Sequence, residues 1–197
     1  MRGMQIFSGV MLLAMCVWVR ADAPDNPATT AASEPAGVPN FMLGEMNIQT
    51  FGVVTYCYKM VDTTLEKLGP SALDCLQAVQ DEADKGTIHT NGPAILIFLG
   101  MRGDPKSTFS LYGGYPIRSG GKVADDSELK ISKTKPTKFA TIILTGPLAN
   151  LPEAYDKLNG AILAAGYQPG DESRLFFLYY EKDNSPNNII QIQIPIH

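Results

Sequence analysis

Apolar and polar positions along this chain fall into two successive blocks with the same order of periods. In the first block, "NIQTFGVVTYCYKM" (47–60) is dense in Val, Thr, Tyr and Phe, the composition of a strand. From Pro70 the period lengthens: Leu73, Leu76, Val79 and Ala83 fall on one side of a helix, with Pro70 suited to its first turn and Gly86 to its stop. Two further strands, "AILIFLGM" and "STFSLYGGYPI", follow around the turn "RGDPK". The second block repeats the order. A strand over 139–145 leads through Gly146-Pro147 into a helix over 151–165, with Leu151, Ala154, Tyr155, Leu158, Ile162 and Ala165 on one side and Gly166 at its end. "RLFFLYY" and "NIIQIQIPIH" close the block, and the alternation in "IIQIQIPI" predicts a strand with one apolar and one polar face.

Both blocks end on Pro-Ile, at Pro116-Ile117 and Pro195-Ile196. An internal duplication of β-α-β-β units accounts for this order. One unit alone leaves a sheet face bare. Two side by side give an α+β fold: a shared antiparallel sheet, helices on one face, and a ligand groove on the other along the pseudo-twofold. The predicted domain spans residues 45–197, with repeat one over 45–117, a polar linker over 118–136 and repeat two over 137–197.

The beginning of the chain has a different character. After Arg2 comes the apolar run "IFSGVMLLAMCVWV", too short to span a bilayer comfortably, and then small residues at Val19 and Ala21. This pattern predicts a secretory signal over 1–21 cleaved after Ala21, and hence an exported protein, periplasmic or secreted. An uncleaved anchor is the alternative. Residues 22–44 are Pro-, Ala- and Thr-rich and read as a flexible tether. Export would leave Cys57 and Cys75 in an oxidising compartment, where they could form a disulfide or stay as two buried thiols.

Composition narrows the function. The net charge of −4 comes without any Lys/Arg-rich run, so nucleic acid is not an expected partner. No CxxC and no His beside a Cys occur, so no metal, cofactor or catalytic thiol is expected. No catalytic residue stands out. His89 reads as a solvated loop residue and Glu153 as a first-turn helix acid. The strands do offer aromatic rings: Tyr56, Tyr58, Phe98, Tyr112, Phe177 and Tyr179 are the candidate ligand-binding residues. Each could equally pack under a helix.

The ordered set Gly146, Leu151, Ala154, Tyr155, Gly166, Tyr179, Asp183, Pro195 and Ile196 resembles the second half of the GyrI-like, or AraC-type effector-binding, domain. Gly114, Pro116 and Ile117 are similar to the end of its first half. The resemblance implies tandem β-α-β-β units around a central groove. It also implies the family's range of activities: drug and effector sensing in transcription regulators, gyrase inhibition, and hydrolysis of cyclopropane-containing molecules. No helix-turn-helix pattern precedes residue 45. The resemblance also expects a groove-facing Glu two residues before the strand tyrosine, for cationic ligands or catalysis, and aligns it with Phe177. The expected function is therefore non-catalytic binding of a small apolar or aromatic molecule, without stable membrane insertion after signal cleavage. A hydrolase using Glu181 or a tyrosine, and an envelope protein-interaction module, are the alternatives.

Overall fold

The computed structural model describes residues 40–101 and 104–197. The expected signal sequence and nearly all of the expected tether lie outside the described residues. Among the described residues the elements are β1 (Met42–Leu43), β2 (Asn47–Phe51), β3 (Thr55–Thr63), α1 (Leu68–Asp84), β4 (Ile95–Leu99) and β5 (Phe109–Pro116). They continue as β6 (Leu129–Lys133), β7 (Thr137–Thr145), α2 (Leu151–Ala164), β8 (Glu172–Tyr179) and β9 (Ile189–Pro195). Short 3-10 turns, Leu65–Lys67 and Leu148–Asn150, lead into the two helices.

The strands form a mostly antiparallel α+β sheet in the order β7-β9-β8-β4-β5-β3, with the seam between repeats at β8–β4. Each repeat contributes a β-α-β-β unit, and the registers superpose. Pro116 stands opposite Tyr56, and Pro195 opposite Phe139. One residue on, Ile117 bridges to Thr90 and Ile196 to Pro169. The Pro-Ile ends therefore mark equivalent places.

Why the helices lie where they do follows from spacing. In α2 the buried residues are Leu151, Ala154, Leu158 and Ile162, the expected 3–4 rhythm, and Gly166 takes a positive φ of 80° just past the end. In α1 the buried stripe is Leu68, Ala72, Cys75 and Val79 rather than the predicted Leu73-Leu76-Val79-Ala83. The helix begins before Pro70, which brings Leu68 into register and leaves Leu73 at the surface. Gly113 of β5 allows this approach, since a Cβ there would sit 2.5 Å from the Cys75 Cβ. Between helices and sheet lies the main core, including Leu96, Phe98, Leu111, Ile142, Leu144, Leu175, Ile190 and Ile192.

Three spans behave differently from their sequence expectations. The predicted strand over 47–60 is two strands broken at Gly52-Val53-Val54: β2 pairs with β7 of repeat two, while β3 pairs with β5 of repeat one. The linker expected over 118–136 contains β6, which pairs with β3. Residues 42–43, expected in the tether, form β1 on the outer part of β7. The two long antiparallel segments, β2–β3 and β6–β7, share a single register through their bends. Phe51 faces Thr137 and Thr55 faces Lys133. Between them the Val54 amide donates to Thr134 Oγ1 and the Thr134 amide to the Val54 carbonyl, both at 2.9 Å. Each repeat thus lends its leading strand to the other, with the crossing at the bend between Phe51 and Thr55.

Candidate functional site

A cavity of about 370 Å³ lies between the bend at Gly52–Val54 and the seam strands β4 and β8. The size lies within the ~300–1,000 Å³ range of small-molecule sites. Strand alternation decides what reaches it. On β8, Ser173, Leu175 and Phe177 point to the helices; Leu175 joins the core, Phe177 packs against it and Ser173 accepts from the Tyr155 hydroxyl at 3.1 Å. Arg174 and Phe176 point the other way and line the cavity. On β9, Ile190, Ile192 and Ile194 enter the core, and Gln191 and Gln193 take the opposite face, as the alternation predicts. Ile95 and Ile97 of β4 form the rest of the floor, paired across the seam with Phe176 and Arg174. The bend at Val53 and Val54 supplies an apolar, partly exposed rim.

Polar groups at this floor are few. The Tyr56 hydroxyl is buried and donates to the Ile95 carbonyl at 3.0 Å, with the Tyr112 carbonyl at 3.2 Å. Burial raises its pKa well above the ordinary phenol value, and the Arg174 charge opposes that rise, so the ring stays neutral. Arg174 pairs through Nε with Glu172, the next residue on the same strand face. Its guanidinium lies over the Phe139 ring, 4.5 Å from the centroid. Directly opposite Arg174 stands Gln193, fully buried. Gln193 Nε2 donates to Gln191 Oε1, but Gln193 Oε1 has no hydrogen-bond partner.

This geometry has counterparts among solved structures. No family model matches the chain, and no curated protein matches it. The C-terminal domain of EcmrR superposes with a TM-score of 0.60 at 17% identity, over 78% of this chain and 97% of that one. EcmrR in its complex with DNA gives 0.64 at 16% identity over 81% of this chain, which spans only 59% of the EcmrR chain. SAV2435 bound to tetraphenylphosphonium gives 0.57 at 10% identity, over 78% of this chain and 94% of that one. The fold is GyrI-like. At these identities the likeness is one of backbone fold.

The candidate aromatic residues are dispersed by the fold. Tyr56 lines the cavity. Tyr58 stacks on Tyr56 at 5.3 Å and Tyr112 tilts against Tyr58 at 5.5 Å, so both extend the same face beside the cavity without lining it. Phe98 is 2% exposed and belongs to the core under the helices, next to Phe109. Phe177 packs on the core with Tyr180 edge-on at 5.7 Å, so the place where the resemblance expects an acid does not face the groove. Tyr179, 48% exposed beyond a β-bulge, donates to Glu181. Glu181 also accepts from Ser185 and Asn187; these bonds hold its carboxyl below the usual carboxylate range and give it a turn-building role outside the cavity. Cys57 and Cys75 are both free and buried, in separate clusters, with burial pushing each thiol up to about 11.

Arg174 and Gln193 are the polar floor residues that sequence reasoning missed, and Thr55, Asn91 and Thr134 are further polar lining residues that it did not single out. A signal existed: Glu172 and Arg174 share a face of a strand whose neighbour presents Gln191 and Gln193 on one side. The run "RLFFLYY" is apolar on both faces after Arg174, and the aromatic residues drew the assignment away from the charge.

Proposed function

We propose that this protein is a non-catalytic small-molecule-binding module whose site is the cavity between the repeats, and that it works after export. The observation that carries the reading is the partly open, mainly apolar cavity over the β8–β4 seam with a small convergent polar set at its floor. Ligands favour such concavities between structural units. SAV2435, similar in backbone, is a protein bound to a hydrophobic ligand, tetraphenylphosphonium, which supports a binding role for this scaffold. Ligand contact is proposed for Tyr56 together with Ile95, Ile97, Phe176, Arg174 and Gln193. The apolar run and small residues before Asp22 support export.

A thermal-shift panel of hydrophobic and aromatic compounds tests the binding role. A ligand at a hundredfold its Kd stabilises the fold by ~2.7 kcal/mol, which raises Tm by about 5–10 °C for a domain of this size. Absence of any shift across cationic, neutral and anionic members would refute the reading. Export is tested separately by sequencing the N-terminus of the mature protein. A start at Asp22 supports it, and a retained Met1 in the cytosolic fraction rejects it.

A further inference from the structure

The two halves of the floor are not chemically equivalent. Two residues before Pro116, Gly114 of β5 stands opposite Ile95; two residues before Pro195, Gln193 of β9 stands opposite Arg174. Repeat one thus fills with Ile95 and Gly114 the places where repeat two carries a charge and a buried amide. Repeat one makes this strand crossing without a polar pair, and it does so with a closer backbone approach, since a Cβ on Gly114 would lie 2.0 Å from the Cys57 carbonyl oxygen.

Nor are these two groups satisfied by the protein. Arg174 has five donors in a planar fork, and Nε alone is used, toward Glu172. Its terminal nitrogens make no hydrogen bond to the described residues. Gln193 Oε1 is buried at the same floor without a donor. Arg174 is the one charged residue lining the cavity among the described residues, and no carboxylate lines it. Glu172, the partner of Arg174 Nε, lies outside the lining, so a lipophilic cation would meet a like charge with no carboxylate in the wall, whereas a carboxylate would meet the two free terminal nitrogens of a guanidinium suited to forked pairing. The walls around the polar pair, Val53, Val54, Ile95, Ile97 and Phe176, are apolar.

We propose that the cavity takes an apolar or aromatic carboxylate whose carboxyl group pairs with Arg174 and whose neighbouring hydroxyl or amide N–H donates to Gln193 Oε1. This inference rests on the binding role proposed above and names its ligand class. It places the recognition charge on β8 with the sign opposite to the acid that the resemblance expects.

The test is calorimetric titration of the full mature chain with four matched probes: naphthyllactate, naphthylpropionate, naphthylpropanol and naphthylpropylammonium. Naphthyllactate binds tightest, and the two carboxylates bind at least about tenfold more tightly than the ammonium, the scale of a charge-assisted pair. Arg174→Gln lowers naphthylpropionate affinity by about tenfold and leaves naphthylpropanol within about twofold. Gln193→Leu removes the advantage of naphthyllactate over naphthylpropionate. The comparison among probes on the unaltered protein stands even where a variant fails to fold. Equal or tighter binding of the ammonium, or carboxylate affinity unchanged in Arg174→Gln, overturns the ligand class while leaving the binding role in place. Failure of all four probes, together with a silent thermal-shift panel, removes both.

Discussion

Replacing Gly113 with alanine probes the contact that sets the distance between α1 and the sheet. The added Cβ would lie 2.5 Å from the Cys75 Cβ and 3.3 Å from Leu96 Cδ2. Carbon atoms pack at about 3.5–4.0 Å, so α1 must retreat by roughly 1 Å or β5 must bow toward the groove. Cys75 is fully buried mid-helix between Ala72 and Val79, so no flexible side-chain end can yield. Overpacking of this kind costs ~1–3 kcal/mol. Removing a glycine from the unfolded chain returns ~0.4–1 kcal/mol. The expected net loss is about 1–2 kcal/mol, a Tm decrease of about 2–8 °C. Gly160 provides the opposite case: it lies on the exposed side of α2, and a Cβ there meets nothing within 4 Å. Gly160→Ala should therefore stabilise by ~0.5–1 kcal/mol. Urea denaturation followed by circular dichroism measures both. The reasoning is refuted if Gly113→Ala is as stable as the parent, or if Gly160→Ala is the more damaging of the two.

Three further outcomes follow from buried groups. Cys57 and Cys75 have folded-state pKa values raised from 9.0 to about 11, so the folded state holds its thiol protons longer than the unfolded chain. Stability from this source is fully present below about pH 9 and is lost as pH rises toward about 11, by up to ~2–3 kcal/mol per thiol. Urea midpoints across that range should fall, and Cys57→Ala with Cys75→Ala should flatten part of the fall; an unchanged slope rejects the assignment. Asn188 is fully buried in the β8–β9 turn, where Oδ1 accepts from the Glu181 amide at 3.0 Å and Nδ2 donates to the Lys182 carbonyl at 2.7 Å. Asn188→Ala should cost about 1–3 kcal/mol in the same assay, and a loss under a few tenths would show the turn to be held by other bonds. Arg174→Ile, which gives repeat two the residue of repeat one, made together with Glu172→Gln so that no carboxylate is left unpaired, should leave stability within about 1 kcal/mol, because a partly buried ion pair replaced as a whole contributes little net. A loss of several kcal/mol would instead make Arg174 a structural residue.

How much of this was legible depended on how each strand is covered. "IIQIQIPI" alternates because one side of β9 meets the helices and the other meets a partly polar groove, so Ile190, Ile192, Ile194 and Gln193 were assigned to faces directly. "AILIFLGM" and "RLFFLYY" are apolar on both sides, since one face packs on the core and the other lines an apolar cavity. A period of two then carries no sign, and Phe98 and Phe177 could have pointed either way. Two weaker signals went unread: Gly52 inside an otherwise strand-like run marks the break between β2 and β3, and Leu129 and Ile131 alternate within the polar linker where β6 forms.

The amino-acid sequence by itself determined the local elements, the duplication and the Pro-Ile ends, because these rest on periodicity and turn chemistry within a few residues. Only the tertiary structure decided that each repeat lends its leading strand to the other and that Arg174 and Gln193 meet opposite one another. Those outcomes depend on pairing between residues tens of positions apart, β2 with β7 and β8 with β9, and local spacing carries no information about which distant strand becomes the neighbour.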